Sequence, residues 1–299
     1  VRSRSALVKA HSFGGDWTEA KLTVLREYLE AYRRIMERNA RAQHFNTLYI
    51  DAFAGTGSRT ERSKVYEDPE QSRDADEFRD GSVRIALQLA SPFDKYIFIE
   101  KSAKHSSELH SLKFQYPERA QSITVIKEDA NKALLTICES RNWRRDRAVV
   151  FLDPYGMQVK WLTIEAIAAT KAIDMWLLFP LGMGVNRLLT KHRRPPSGFK
   201  NRLTFTFGEE DWEAEFYKPD PQAGLFDTEP RFQKVATFDG IKAYFLRRLG
   251  TIFSGVSEDA LVLRNKKNSP LFMLCFAAAN EKGAKPAIKI TNDLIKKAR

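Results

Sequence analysis

The sequence predicts a doubly wound α/β fold on a seven-stranded, mostly parallel sheet, and three observations predict it. Short β-branched or aromatic runs at 48–50, 96–99, 123–126, 149–152 and 175–179 alternate with amphipathic stretches at 82–90, 102–114, 131–140 and 161–170. Such alternation reads as successive βαβ units, whose parallel strands are covered on both faces. Two later apolar runs, 260–263 and 271–278, flank the turn-rich segment Asn265–Pro270 and read as an antiparallel pair at the sheet edge. The length, 299 residues, suits one large domain or two ordinary ones.

Residues 1–15 are basic and small and read as a flexible N-terminus. A long helix follows, with Trp17, Leu22, Leu25, Leu29, Tyr32 and Ile35 mostly at three- and four-residue steps and Asp16 or Thr18 as its cap. The core's first part spans 16–179. It is interrupted at 58–80 by a polar, acid-rich segment without periodicity, read as an inserted loop. Residues 180–239 hold Pro180, Pro195, Pro196, Pro219, Pro221 and Pro230, a basic stretch and then an acidic one. They read as an insertion on the substrate side, and the core resumes over 240–299.

Composition excludes several classes. Two cysteines, Cys138 and Cys275, make neither a disulfide framework nor a four-ligand zinc site, and their apolar surroundings predict buried, inert thiols. The five histidines show no HExxH or HxxxH pairing, so no metal is expected. The apolar runs are too short to span a bilayer, so no membrane partner is expected, and a cytoplasmic location is the expectation. The net charge of +11 points to a polyanionic partner, nucleic acid first, with DNA against RNA undecided.

Four motifs lie at the ends of predicted strands. The first is Tyr49-Ile50-Asp51-Ala52-Phe53-Ala54-Gly55-Thr56-Gly57. A ligand at the end of a first parallel strand sits over such a glycine turn, and glycines let the backbone approach it. Asp51 would repel a phosphate but suits a ligand with an amino group, such as S-adenosylmethionine. The second is Glu100, whose two oxygens suit a pair of ribose hydroxyls. The third is Asp129-Ala130, an acceptor and an N–H suited to adenine. The fourth is Asp153-Pro154-Tyr155-Gly156. There the Asp153 carboxylate and the Pro154 carbonyl offer two acceptors to an amino group, and Tyr155 offers a flat face for a flipped base. Read alone, this last motif is an ordinary β-turn.

Together these residues resemble the class I S-adenosylmethionine-dependent methyltransferases that act on exocyclic amino groups. The whole chain from Asp16 onward is more closely similar to the three-Cys-motif partner protein (TcmP) family. That resemblance rests on the Trp17/Lys21 opening helix, Y-I-D-A-F-A-G-T-G, Gly81-Ser82, F-L-D-P-Y-G, Phe179-Pro180 and Asn186-Arg187. It implies a methyltransferase fold with S-adenosylmethionine as cofactor. The amino-methyltransferase box has a second proline where this chain has Tyr155, so the aromatic stands one position early. Other expectations are a small-molecule or protein substrate, or a non-catalytic, cofactor-binding partner of an enzyme encoded nearby.

Softer candidates complete the set. Asn186 and Arg187 follow the fifth strand and are placed to reach substrate or phosphate. Arg187, Lys191, Arg193, Arg194, Lys200 and Arg202, with no acid between 184 and 202, form the densest basic stretch, beside Phe199 and Phe205. Arg141, Arg144, Arg145 and Arg147 around Trp143 read as surface. Lys21, on one face of the opening helix with Trp17, is a candidate to touch the cofactor carboxylate, but reads first as an exposed lysine beside a core tryptophan.

Overall fold

The centre of the molecule is a parallel ladder whose middle strands are sealed from water. A computed structural model describes residues 16–55, 81–154, 156–191, 194–221 and 231–299, with side chains from Glu19 onward. Strand β1 (Asn46–Asp51) pairs in parallel with β2 (Lys95–Ile99) on one side and β4 (Asp146–Leu152) on the other. Beyond them lie β3 (Ile123–Ile126) and β5 (Ile173–Phe179), also parallel. All seven residues of β5 are buried, as a strand covered on both faces requires. The expected antiparallel pair is present: β10 (Pro270–Ala278) runs against β5 and against β9 (Leu261–Arg264).

The order is β3-β2-β1-β4-β5-β10-β8, with β9 also on β10. Among the described residues the sheet thus has eight strands rather than seven. Strand β10 gives one edge to β5, so β8 (Gly255–Val256) and β9 share its other edge, β8 pairing at Ala277–Ala278 and β9 at 270–274. The seventh position is filled by two short segments.

Alternate residues of the strands feed two separate cores, because successive strand side chains point to opposite faces. Leu48, Ile50, Val150, Met175 and Leu177 face one cluster, and Tyr49, Val149, Trp176 and Leu178 the other. On the first face lie α4 (Ala130–Ser140), α5 (Trp161–Ala169) and α8 (Phe238–Gly250). On the second lie α1 (Asp16–Arg38), a helix over 81–87 (α2), α3 (Ala103–Gln115) and α9 (Glu281–Lys297). The 180–239 stretch supplies α6 (Ser197–Phe207), α7 (Trp212–Phe216) and a ribbon of β6 (Tyr217–Pro219) with β7 (Phe232–Lys234). Its Leu203, Phe207, Trp212 and Phe216 belong to the first core.

Helix α1 is tied to the sheet at two heights. The Tyr28 hydroxyl donates to Asp174 Oδ2 at 2.7 Å, and Arg33 donates to Thr47 Oγ1 at 2.6 Å. Tyr28 also packs edge-on against Trp176, with ring centroids 5.3 Å apart. These contacts fix the helix's rotation and so decide which residues its first turns present at the carboxyl ends of the strands. Among the described residues, no helix is long and apolar enough to cross a membrane.

Candidate functional site

The parallel strands β1, β2, β3 and β4 end side by side, so the acids that follow them share one edge of the sheet. Ligands of open α/β sheets bind at that edge. The turn after β1 is stitched to its neighbours on both sides: Ala52 N–H donates to Phe151 O at 3.1 Å and Ala54 N–H to Ile99 O at 3.1 Å. A Cβ added at Gly55 would lie 2.6 Å from Glu100 Oε2 and 2.7 Å from His105 Cβ. Only glycine lets the turn and the second strand's tip come so close.

Asp51 has a role that the sequence did not reveal. It is 1% exposed, and its Oδ2 accepts from Ser82 Oγ at 2.7 Å and from Tyr49 OH at 3.3 Å. Its Oδ1 accepts from Phe53 N–H at 3.3 Å. Burial, then the adjacent Asp51 charge, raises the Tyr49 pKa well above the ordinary phenol value, so the hydroxyl stays a donor. The carboxylate therefore braces the glycine turn against the start of α2. Ala54 is buried and Phe53 half-buried.

Glu100 is half-buried, and its Oε1 accepts from Ser102 N–H at 2.5 Å. That contact aims the side chain back toward Gly55, where Oε2 lies. Asp129 is the N-cap of α4: its Oδ1 accepts from Asn131 N–H at 3.0 Å and Lys132 N–H at 3.3 Å. The cap engages Oδ1. Ala130 is the helix's first residue and is buried.

After β4 the chain turns at Asp153-Pro154 into Gly156, which has φ +77°, the left-handed conformation that a turn glycine adopts readily. Asp153 is 4% exposed, and Pro154 is buried. The loop beyond is held by Asn131. Its Nδ2 donates to Gln158 O at 3.0 Å, and its Oδ1 accepts from Lys160 N–H and Thr163 Oγ1, each at 2.9 Å. The main correction to the sequence reading lies here. Lys21, expected on the surface, is 1% exposed, and its Nζ lies 3.8 Å from Asp153 Oδ2. The fixed rotation of α1 turns it inward.

The candidate substrate residues are distributed differently. Asn186 lies in the π-helical turn Leu181–Asn186, and Lys234 Nζ donates to its Oδ1 at 2.6 Å. Burial, then Lys191, lowers the Lys234 pKa from the ordinary amine value. Arg194 stacks over Phe232 at 4.0 Å and pairs with Glu213 at 3.7 Å. Lys200 pairs with the same Glu213 at 2.6 Å and with Glu210 at 3.0 Å. Acids of the following stretch thus fold back onto part of the basic one. Arg187, Lys191 and Arg202 are exposed, as are Phe199 and Phe205.

Arg147, read as surface, instead stacks over Phe45 at 3.7 Å. Burial pushes the Cys138 thiol up to about 12 and raises Cys275 further still, as expected of inert thiols. Gly57, Tyr155, Arg193 and the 58–80 segment lie outside the described residues. Among the described residues, no group of three or more His, Cys, Asp or Glu is arranged to hold a metal ion.

No protein-family model matches the chain, and no curated protein matches it. Among solved structures, it is similar to a Legionella pneumophila protein of the DUF519 family. The two share 11% identity and a TM-score of 0.46, over 96% of this chain and 94% of that one. A Listeria monocytogenes protein named as a "putative S-adenosylmethionine dependent methyltransferase" is 8% identical, with a TM-score of 0.33, over 84% of this chain and 97% of that one. An Escherichia coli "putative methyltransferase" is 14% identical, with a TM-score of 0.29, over 69% and 87%.

Proposed function

We propose that this chain is an S-adenosylmethionine-dependent methyltransferase acting on an amino group of nucleic acid. The observation that carries the reading is the row Asp51, Glu100, Asp129 and Asp153, placed at the carboxyl ends of four strands that are neighbours in the sheet. The residues fit the cofactor: the turn at Gly55 has no room for a side chain, and Glu100 turns a carboxylate oxygen toward it. Glu100 would take the ribose hydroxyls, and Asp129 with Ala130 the adenine. Asp51, committed to Ser82 and Tyr49, acts by holding the turn. When bound, the cofactor supplies an electrophilic methyl group.

Asp153 and the Pro154 carbonyl offer the substrate amino group two acceptors, one for each N–H. Accepting from both keeps the nitrogen lone pair out of conjugation and free to act as nucleophile. Preorganised polar groups of this kind are typically worth about a hundredfold to a thousandfold in rate. The net charge of +11 and the exposed Arg187, Lys191 and Arg202 support a polyanionic substrate. The similarity to the TcmP family supports the same fold and cofactor, and leaves room for a partner protein encoded nearby.

The test is transfer of labelled methyl from S-adenosylmethionine to total DNA, RNA, protein and metabolite pools. Label is expected in a nucleic-acid pool, on an exocyclic nitrogen. Label confined to protein or metabolites overturns the substrate assignment, and label in no pool overturns the enzyme.

A further inference from the structure

We propose that Lys21 is a positioning residue for methyl transfer, anchoring the Asp153 carboxylate and aiming it at the target amine. The inference rests on the methyltransferase reading above. Lys21 lies in the second turn of α1, on the same face as Val24, Leu25 and Tyr28, each of which is buried against the sheet. An apolar side chain would suit that face better. Burying an ammonium and a carboxylate costs several kcal/mol per ion, and replacing such a pair by well-packed apolar groups is often neutral or stabilising. The pair at Lys21 and Asp153 is therefore poorly explained by stability alone.

Its location gives a better explanation. Asp153 is the first residue beyond β4, at the edge where the strand-end acids gather. Both side chains are buried, at 6% exposure for Asp153 and 1% for Lys21. The contact of 3.8 Å is an ion pair without tight hydrogen-bond geometry. It holds the Asp153 charge at the tip of β4.

Helix α1 delivers the lysine rigidly. Tyr28 is bonded to Asp174 and packed on Trp176, and Arg33 is bonded to Thr47. A residue 132 positions away in sequence is thus held against the fourth strand's tip by the whole second core. A misplacement of about 1 Å at a reacting group can cost about a hundredfold in rate.

The experiment compares wild type, Lys21→Met, Lys21→Arg and Lys21→Ala in single-turnover methyl transfer at saturating cofactor, with S-adenosylhomocysteine affinity and thermal melting measured alongside. Lys21→Met is expected to slow transfer by about a hundredfold while affinity for S-adenosylhomocysteine stays within a few fold. Lys21→Arg is expected to recover part of the rate. Ethylammonium, but not ethanol, is expected to restore part of the rate of Lys21→Ala, an effect a packing role would not show. Lys21→Gln replaces Lys21→Met if the latter does not fold.

Transfer by Lys21→Met at the wild-type rate overturns the inference. So does a loss confined to cofactor affinity, or failure of both the arginine and the ethylammonium rescue. A wild type that methylates nothing is a different outcome: it removes the methyltransferase reading, and the Lys21 assignment with it.

Discussion

Gly55 and Glu100 are so close that a methyl group on the glycine would sit 2.6 Å from the glutamate's Oε2. The two belong to different strand ends, and their approach is what makes the turn after β1 a cradle. Gly55→Ala is expected to push Glu100 aside at a cost of about 1–3 kcal/mol, as overpacking typically does. S-adenosylhomocysteine affinity should fall by about tenfold to a hundredfold with the circular dichroism spectrum unchanged. Unchanged affinity would place the ligand elsewhere.

Ser82→Ala tests the brace behind that turn. Ser82 Oγ donates to the buried Asp51 Oδ2, and removing a donor from a buried carboxylate costs about 1–3 kcal/mol. The variant's unfolding free energy in urea titration should fall by that amount. A change below about 0.5 kcal/mol would show that the Ser82 bond contributes little to holding Asp51.

Much of this was legible in the sequence, and the parts that were not share one physical character. The parallel strands and the antiparallel return are local apolar runs between turn residues, so they can be read without knowing their neighbours. The strand-end positions of Asp51, Glu100, Asp129 and Asp153 follow directly. What those side chains touch does not follow. Asp51 meets Ser82, and Asp153 meets Lys21, only because helices α2 and α1 pack across the sheet. Glu213 covers Lys200 only because α7 folds back beside α6. Such pairings depend on tertiary placement, which periodicity does not encode. The second segment of the seventh strand position, β8, is two residues long, too short to leave a pattern.

Stability should depend on pH through Asp174. Burial raises its pKa to about 7, against the pull of the Tyr28 hydrogen bond and of Arg147. The unfolded carboxyl titrates near about 3.9. A raised folded value means that the group's contribution is fully present below about pH 4 and is lost as pH rises through about 7. Asp174→Asn removes that loss. In urea unfolding, its stability relative to wild type should grow by about 1–3 kcal/mol between pH 5 and pH 8, at about 1.4 kcal/mol per unit at most. A difference that is flat across that range would contradict the assignment.

The basic surface makes opposite predictions for its acid and its cations. Glu213 engages both Arg194 and Lys200, so Glu213→Gln should tighten binding of single-stranded oligonucleotides. Arg187→Ala and Arg202→Ala should each weaken binding for every sequence and flatten the log–log salt slope by about one unit. Identical salt slopes in wild type and both arginine variants would take the phosphate backbone away from this surface.

The central claim is that the ends of β1 and β2 hold S-adenosylmethionine while Asp153 faces the substrate. Calorimetric titration of S-adenosylhomocysteine into wild type, Glu100→Ala and Asp153→Ala tests it most directly. Saturable binding to wild type is expected, about tenfold or more weaker in Glu100→Ala, where a half-buried hydrogen-bonding group is lost, and within a few fold of wild type in Asp153→Ala. No binding to well-folded wild type, or loss of binding in Asp153→Ala with Glu100→Ala unaffected, would contradict the account.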